Sequence, residues 1–188
     1  MGLFKPLLPF GDSTVIESCV ANLLQAGVDE LIVVLGHRAE DIQQKLKTSA
    51  VKFAFNPDPG SEMSASIKCG VEQIGPDRKA TLIALVDQPA VSAQTISQLI
   101  AGWRHTHARL MQPEHDGRAG HPVLIDLVYR NELLTLDPER GLKELFDTHR
   151  TEVRRIAVDC PFIARDMDTW EDYIAVHVQF FGFSPKQI

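Results

Sequence analysis

Chemistry-bearing residues fall into four short polar stretches, each beside an apolar run. Asp87 directly follows TLIALV (residues 81–86) in the stretch LVDQP. A carboxylate at the end of an apolar strand is costly unless it ligates a cation or caps the next turn, and both roles are open here. A second stretch, RDMDTWEDY, carries Asp166, Asp168 and Asp172. Asp172 stands where an acidic residue stabilises a helix start. Two carboxylates on different loops above one sheet edge suit Mg²⁺, which takes few protein ligands and completes its shell with phosphate oxygens and water.

The third stretch, NPDPGSEMSASIKCG (56–70), brings Gly60, Ser61, Ser64 and Ser66 to a helix entry. Backbone N–H groups and hydroxyls there suit a phosphate or a sugar hydroxyl, though serines at a helix start also act as ordinary caps. The fourth, HDGRAGHPVLI (115–125), sets two glycines around Arg118, followed by His121 and Pro122. A hairpin accounts for the glycines, and a ligand would account for the arginine and histidine. For His121 the alternative is a residue that simply orders the hairpin. Neither G-x-x-x-x-G-K-[ST] nor G-x-G-x-x-G occurs, so no P-loop or dinucleotide fingerprint is available. His105 and His107 have no cysteine or glutamate at ligand spacing and read as surface residues rather than a zinc site.

These stretches need a scaffold, and the chain alternates short apolar runs with helical patterns. Thr14 and Glu17 have capping-box spacing, with Ile16, Val20, Leu23 and Leu24 at helical intervals and Gly27 as a stop, which predicts a helix over about 14–26. LIVVLG (31–36) predicts a fully buried strand, Ile42 and Leu46 a short helix, VKFAF (51–55) a strand, and 63–74 a helix. TLIALV is the most apolar strand, and Ser92 caps a helix ending near His105. Beyond residue 108 come PVLI, helices near 127–136 and 141–148, a strand near 152–158 and a last helix from Trp170. Such alternation predicts an α/β domain, with a parallel sheet covered by helices on both faces and ligands bound beyond the carboxyl ends of its strands.

The 188 residues, 44% of them hydrophobic, predict one domain. With 25 acidic against 19 basic residues and a net charge of -6, the chain lacks the cationic balance of a nucleic-acid or membrane-surface binder. A small molecule or another protein is the expected partner. No apolar run is long enough to span a bilayer and no signal-peptide pattern is present, which predicts a cytoplasmic protein. Cys19, Cys69 and Cys160 lie far apart and read as reduced thiols, the first two as small buried hydrophobes.

Taken in order, the stretches resemble one family. MGLFKPLLPFG is similar to the end of the signature R-M-G-x-x-K-x-L-L-P of MobA-like nucleotidyltransferases. NPDPGSEMSASIKCG resembles that family's N-x-x-x-x-G-M-x-x-S-x-x-x-G, with Glu62 where glycine is common, and DMDTWEDY resembles D-I-D-T-P-E-D-Y, with Trp170 in place of proline. The D-Q-P and G-H-P forms are similar to the molybdenum cofactor cytidylyltransferase branch. The resemblance implies a Rossmann-like, three-layer α/β/α nucleotidyltransferase fold with a mostly parallel sheet, of the glycosyltransferase-A kind. It also implies a single domain truncated at its amino terminus, since in the family a buried strand and a glycine-rich loop precede the methionine that aligns with Met1.

The implied reaction moves CMP from CTP to a molybdopterin-type cofactor and releases pyrophosphate. Asp87 and Asp168 would hold Mg²⁺, and Lys5 would balance the triphosphate charge. Gly2, Lys5, Asn56, Gly60, Ser64, Ser66 and Asp87 would bind the nucleotide, with Gln88, Pro89, Arg118, Gly120 and His121 on the acceptor side. A molybdoenzyme or its chaperone is the implied protein partner. The alternatives are a nucleotide-binding chain without turnover, and a nucleotidyltransferase using GTP, a sugar phosphate or methylerythritol phosphate.

Overall fold

The computed structural model describes residues 4–185, so the Gly2 expectation lies outside the described residues. A 3-10 turn (Lys5–Leu7) leads into the short strands β1 (Pro9–Phe10) and β2 (Ser13–Thr14), paired across Gly11. Then come α1 (Val15–Gln25), β3 (Ile32–Leu35), α2 (Ala39–Lys45), β4 (Lys52–Phe55), α3 (Met63–Glu72), β5 (Ala80–Ile83) and α4 (Ala93–Thr106). The second half holds β6 (Leu110–His115), β7 (Arg118–Ala119), β8 (Val123–Asp126), α5 (Arg130–Leu134), α6 (Gly141–Thr148), β9 (Val153–Ala157) and α7 (Trp170–Phe181).

Local chemistry explains most boundaries. The Glu17 carboxylate accepts from Thr14 N at 2.8 Å and Thr14 Oγ1 at 2.7 Å, which starts α1 as the capping-box spacing predicts. Ser92 Oγ accepts from Thr95 N at 3.2 Å to start α4, and His107 closes that helix in the left-handed region, with His105 and His107 both exposed. Thr169 and Asp172 cap each other at the start of α7, the role expected of Asp172. Cys160 is the buried thiol, whereas Cys19 and Cys69 are only partly buried.

Successive residues of the strands point to opposite helical layers. Leu110 of β6 with Val123 and Ile125 of β8 pack against Ile67 and Val71 of α3, Leu133 of α5 and Leu142 and Leu145 of α6. Met111 and Leu124, one residue along, pack on Leu99 of α4 from the other side. Period-two alternation thus yields the three-layer α/β/α arrangement.

The pairing within that arrangement is mixed. β8 is antiparallel to both of its neighbours, β5 and β6, so β5 and β6 run the same way, and β9 joins β6 in parallel. β7 folds back on β6 through Asp116 and Gly117, both at positive φ (49° and 76°), a two-residue turn whose geometry favours Asp-Gly. β3 and β4 form a separate parallel pair.

Two strand expectations need correction. β3 and β5 end earlier than the apolar runs 31–36 and 81–86 suggested, and within them only Leu35 is buried. Among the described residues each has a neighbour on one side only, and between them lies a cavity of about 910 Å³.

Candidate active site

Three loops carry the site, and each is anchored by residues that do no chemistry. Lys5 sits in a turn held by buried Leu8 and Phe10, and Tyr173 Oη of α7 donates to Pro9 O at 2.5 Å. Phe4 stacks edge-on against His37, with ring centroids 5.9 Å apart, and lies under the Arg38 guanidinium at 4.7 Å. Phe181 and Phe180 close over Phe10, so the aromatic tail docks on the domain and clamps this loop. From that platform Lys5 Nζ reaches Asp168 Oδ1 at 2.9 Å.

The loop carrying Asp87, Gln88 and Pro89 is tied down from α1. Asn22 Nδ2 donates to Pro89 O (3.2 Å) and Val91 O (2.9 Å), while Ala90 and Val91 are buried. Asp87 is half-buried. Burial raises its pKa above the ordinary carboxylate value, Asp166 and Asp168 push the same way, and Lys5 opposes them.

The third loop follows a 3-10 turn at Pro161–Ala164. Met167 is fully buried while Asp166 and Asp168 on either side are exposed, so one apolar anchor presents both carboxylates outward. Gln88 Nε2 donates to Asp166 Oδ1 at 2.8 Å, and its Oε1, buried, has no hydrogen-bond partner among the described residues. An unpaired buried acceptor is costly, so this oxygen is a ready contact for a ligand donor.

His121 N donates to Ile163 O at 2.7 Å, which straps the hairpin to the same loop. Gly120 is required there because a Cβ would overlap the Ile163 carbonyl. Burial lowers the His121 pKa, with Asp166 opposing, so near neutral pH the imidazole is uncharged. Arg118 lies on the exposed short strand β7.

The stretch 56–66 has a different character. Asn56 is buried, and its Nδ2 donates to Ser61 Oγ and Ser66 Oγ, both at 3.0 Å, while its Oδ1 accepts from Asp58 N at 3.0 Å. The side chain is spent on shaping the loop. Ser64 is buried within the first turn of α3, Gly60 is exposed, and Ser66 lines the cavity that also reaches Asp87.

Lys5, Asp87, Gln88, His121 and Asp168 therefore come together, linked by direct bonds or mutual electrostatic effects. Asn56, Gly60, Ser64 and Ser66 belong to a neighbouring loop, with no direct bond to that group among the described residues. Asp166, not assigned a role from the sequence, is the common partner of Asp87, Gln88 and His121. Its signal was its place two residues before Asp168, on the other side of an apolar Met167. Asn22 carried no signal beyond being a polar residue on an otherwise apolar helix face.

A helix-covered sheet with acidic side chains and a lysine gathered beyond its strand ends defines an α/β domain with its polar site where such sheets bind ligands. The chain belongs to the MobA-like NTP transferase family, whose domain model matches residues 1–155. It is similar to the molybdenum cofactor cytidylyltransferase of Escherichia coli K12, 21% identical over 183 residues that cover 96% of this chain and 90% of that protein. It is also similar to the nicotine blue oxidoreductase of Paenarthrobacter nicotinovorans, 29% identical over 129 residues, 65% of this chain and 62% of that protein's length. Its fold matches the crystal structure of Rv0371c from Mycobacterium tuberculosis H37Rv with a TM-score of 0.83 and 28% identity, covering 94% of this chain and 90% of that one. A further structure of Rv0371c is a complex with manganese (TM-score 0.81, 27% identity, 95% and 93% covered). The family and the α/β nucleotidyltransferase fold thus agree with the motif resemblance. Among the described residues no helix is long and apolar enough to cross a membrane.

Proposed function

We propose that this chain transfers CMP from CTP to the terminal phosphate of a molybdopterin-type cofactor and releases pyrophosphate. The observation that carries the reading is the gathering of carboxylates at Asp87, whose pKa Asp166 and Asp168 raise while Lys5, bonded to Asp168, opposes them. Acidic side chains grouped in this way suit a cation. Similarity to a cytidylyltransferase over nearly the whole chain supports the choice of donor and acceptor.

The residues present fit a magnesium ion. Among the described residues no group of three metal-ligating side chains is preassembled, but Mg²⁺ characteristically takes one or two carboxylates and fills the rest of its shell with water and substrate phosphate. Asp87 and Asp168 would hold it, and Asp168 is 72% exposed and so accessible to an incoming ion. Bound there, the ion supplies charge neutralisation on the phosphate oxygens.

The chain's own groups supply alignment. The acceptor phosphate oxygen attacks the α-phosphorus in line, the bond from that phosphorus to the bridging oxygen breaks, and pyrophosphate leaves with the electron pair. Lys5 shifts from Asp168 to the triphosphate. Ser64, Ser66 and Gly60 line the nucleotide side through the loop that Asn56 shapes. Gln88 Oε1 and neutral His121 offer hydrogen bonds to the acceptor, and exposed Arg118 supplies a charge for its phosphate tail. Pro89 and Gly120 hold the loops that carry them.

The test is pyrophosphate release from Mg²⁺–CTP and Mg²⁺–GTP in the presence of molybdenum cofactor. Release with CTP, abolished in Asp87→Asn, is the expected result. Release with a sugar phosphate or methylerythritol phosphate, and not with molybdenum cofactor, replaces the acceptor. A second reading, ligand binding without turnover, is favoured by the cavity that runs up to Asp87 between β3 and β5. CTP binding without pyrophosphate release from any acceptor would establish it.

A further inference from the structure

Helix α7 touches both halves of the Lys5–Asp168 pair. Its amino-terminal cap is Thr169, so Asp168 directly precedes the helix, and buried Met167 anchors it there. One flank of the same helix grips the turn that carries Lys5. Tyr173, His177 and Phe181, spaced four residues apart, share that flank. Tyr173 Oη donates to Pro9 O, the Phe181 ring packs on Phe10, and Gly11 N donates to His177 Nε2 at 3.4 Å.

The His177 ring is 1% exposed and lies among Phe10, Tyr173, Phe181 and Phe183, with ring centroids between 4.7 and 6.1 Å away. An imidazole in such surroundings is costly unless its nitrogens are bonded, and both are. Nδ1 lies 2.8 Å from Phe183 O, and a carbonyl only accepts, so Nδ1 carries the proton. Nε2 is then the acceptor that the Gly11 N–H requires. A phenylalanine would fill much the same space, so packing alone does not call for histidine here. The two bonds do, because they tie the residues after α7 to the turn between β1 and β2.

The path from Gly11 back to Lys5 is stiff. Of the residues between them, Pro6 and Pro9 have a fixed φ, and Leu8 and Phe10 are buried. Leu8 N donates to Lys5 O at 3.1 Å, and Val15 N to Leu8 O at 2.9 Å. A shift at Gly11 is therefore passed to Lys5 rather than absorbed on the way.

We infer that His177 is a positioning residue for Lys5: its Nε2 holds the β1–β2 turn against α7, and so sets Lys5 Nζ at Asp168, whose place the same helix fixes. The inference rests on the reading of Lys5 and Asp168 as groups of the nucleotidyl transfer. His177 acts through Gly11.

The test pairs two variants that lose the ring but keep different bonds. In His177→Gln the side-chain carbonyl reaches the place of Nε2 and accepts from Gly11 N. In His177→Asn the amide reaches the place of Nδ1 and keeps the bond to Phe183 O. His177→Phe keeps the packing, loses both bonds, and stands in for His177→Asn if circular dichroism shows that variant unfolded. Hydrogen exchange is read at the amides of Leu7, Leu8 and Gly11. Pyrophosphate release from Mg²⁺–CTP with molybdenum cofactor is measured with and without Lys5→Met.

Exchange is expected to be about tenfold or more faster in His177→Asn and His177→Phe, and within about twofold of the unmodified chain in His177→Gln. Turnover falls about tenfold in the first two, the scale of a small misplacement of an aligned group, and is largely kept in His177→Gln. In the Lys5→Met background the same substitutions cost less than about a further twofold. Equal losses in His177→Gln and His177→Asn would reduce the histidine to packing and overturn the inference, as would losses that add in full to that of Lys5→Met. Pyrophosphate release absent from the unmodified chain with every acceptor would instead sink the transfer reaction, and exchange alone then decides. Faster exchange in His177→Asn and His177→Phe but not in His177→Gln upholds the positioning, and unchanged exchange in all three overturns it.

Discussion

Two polar loops lie beyond the strand ends, and they treat their polar groups in opposite ways. In the loop 56–66, Asn56 satisfies Ser61, Ser66 and the Asp58 amide, so donors and acceptors close on one another. Around Asp87, burial and the carboxylates of Asp166 and Asp168 raise its pKa against Lys5, and among the described residues Gln88 Oε1 is left without a partner. The first loop satisfies its own polar groups, and the second leaves charge and an acceptor uncompensated. Perturbed ionisation and unpaired polar atoms gathered at one place mark a functional site more reliably than polar composition, which the two loops share.

The strongest way to break this contrast is Asp87→Asn. Pyrophosphate release is expected to fall by about 10³-fold, the scale of losing a preorganised charge contact in a transition state. At the same time Tm at neutral pH should rise. Burial and Asp166 hold the Asp87 carboxyl above its ordinary value, so over part of the acid range the folded chain retains a proton that the unfolded chain has released. Its contribution to stability therefore declines as pH rises, and the Tm gain in Asp87→Asn is present at pH 7 and gone by about pH 4. Scanning calorimetry of both chains from pH 4 to 8 checks this, and a Tm loss at pH 7 would make Asp87 a structural cap. Lys5→Met should lower turnover by about 10²-fold, while its exposed pairing with Asp168 contributes no more than about 1 kcal/mol to stability. Denaturant unfolding alongside turnover separates the two effects.

The same contrast shows what could be read before folding. Strand and helix alternation, the caps at Thr14 and Ser92, the acidic helix start at Asp172, and the polar stretches beyond the strands depend on neighbours in sequence, and these were legible. The antiparallel insertion of β8 was not, because its PVLI run is as apolar as a parallel strand. That the Asn56 amide closes on Ser61 and Ser66 was not legible either, because nothing local in the sequence reveals it. Asp166 stayed unassigned because its partners Gln88 and His121 are far away in the chain. The fully buried character expected of LIVVLG and TLIALV failed for a related reason: apolarity suits a strand with two neighbours, and among the described residues each has one.

Asn56→Ala should sharpen the comparison from the other side. It leaves two hydroxyls and the Asp58 amide without their partner, which costs about 1–3 kcal/mol. Turnover should drop about tenfold through a raised KM for the nucleotide, with kcat less affected. Denaturant unfolding and a CTP titration measure the two parts. A kcat loss as large as that of Asp87→Asn, in a folded protein, would erase the distinction between the loops.

Arg118→Ala is the mildest test and the most discriminating for the acceptor side. Arg118 stands exposed on a two-residue strand, after a turn whose geometry is set by Asp116 and Gly117 rather than by the arginine. Stability should stay within about 0.5 kcal/mol, as for surface substitutions away from caps and cores. A phosphate tail approaching past His121 would meet the guanidinium before any other cation on that hairpin. The expected signature is a rise of about three- to tenfold in KM for the acceptor, with KM for CTP unchanged, shrinking with added salt because an exposed charge contact is screened. Equal effects on both KM values would shift Arg118 to the donor side and leave His121 and Gln88 as the acceptor contacts. No effect on either would reduce the hairpin to a strap whose working parts are Gly120 and the His121 amide against Ile163.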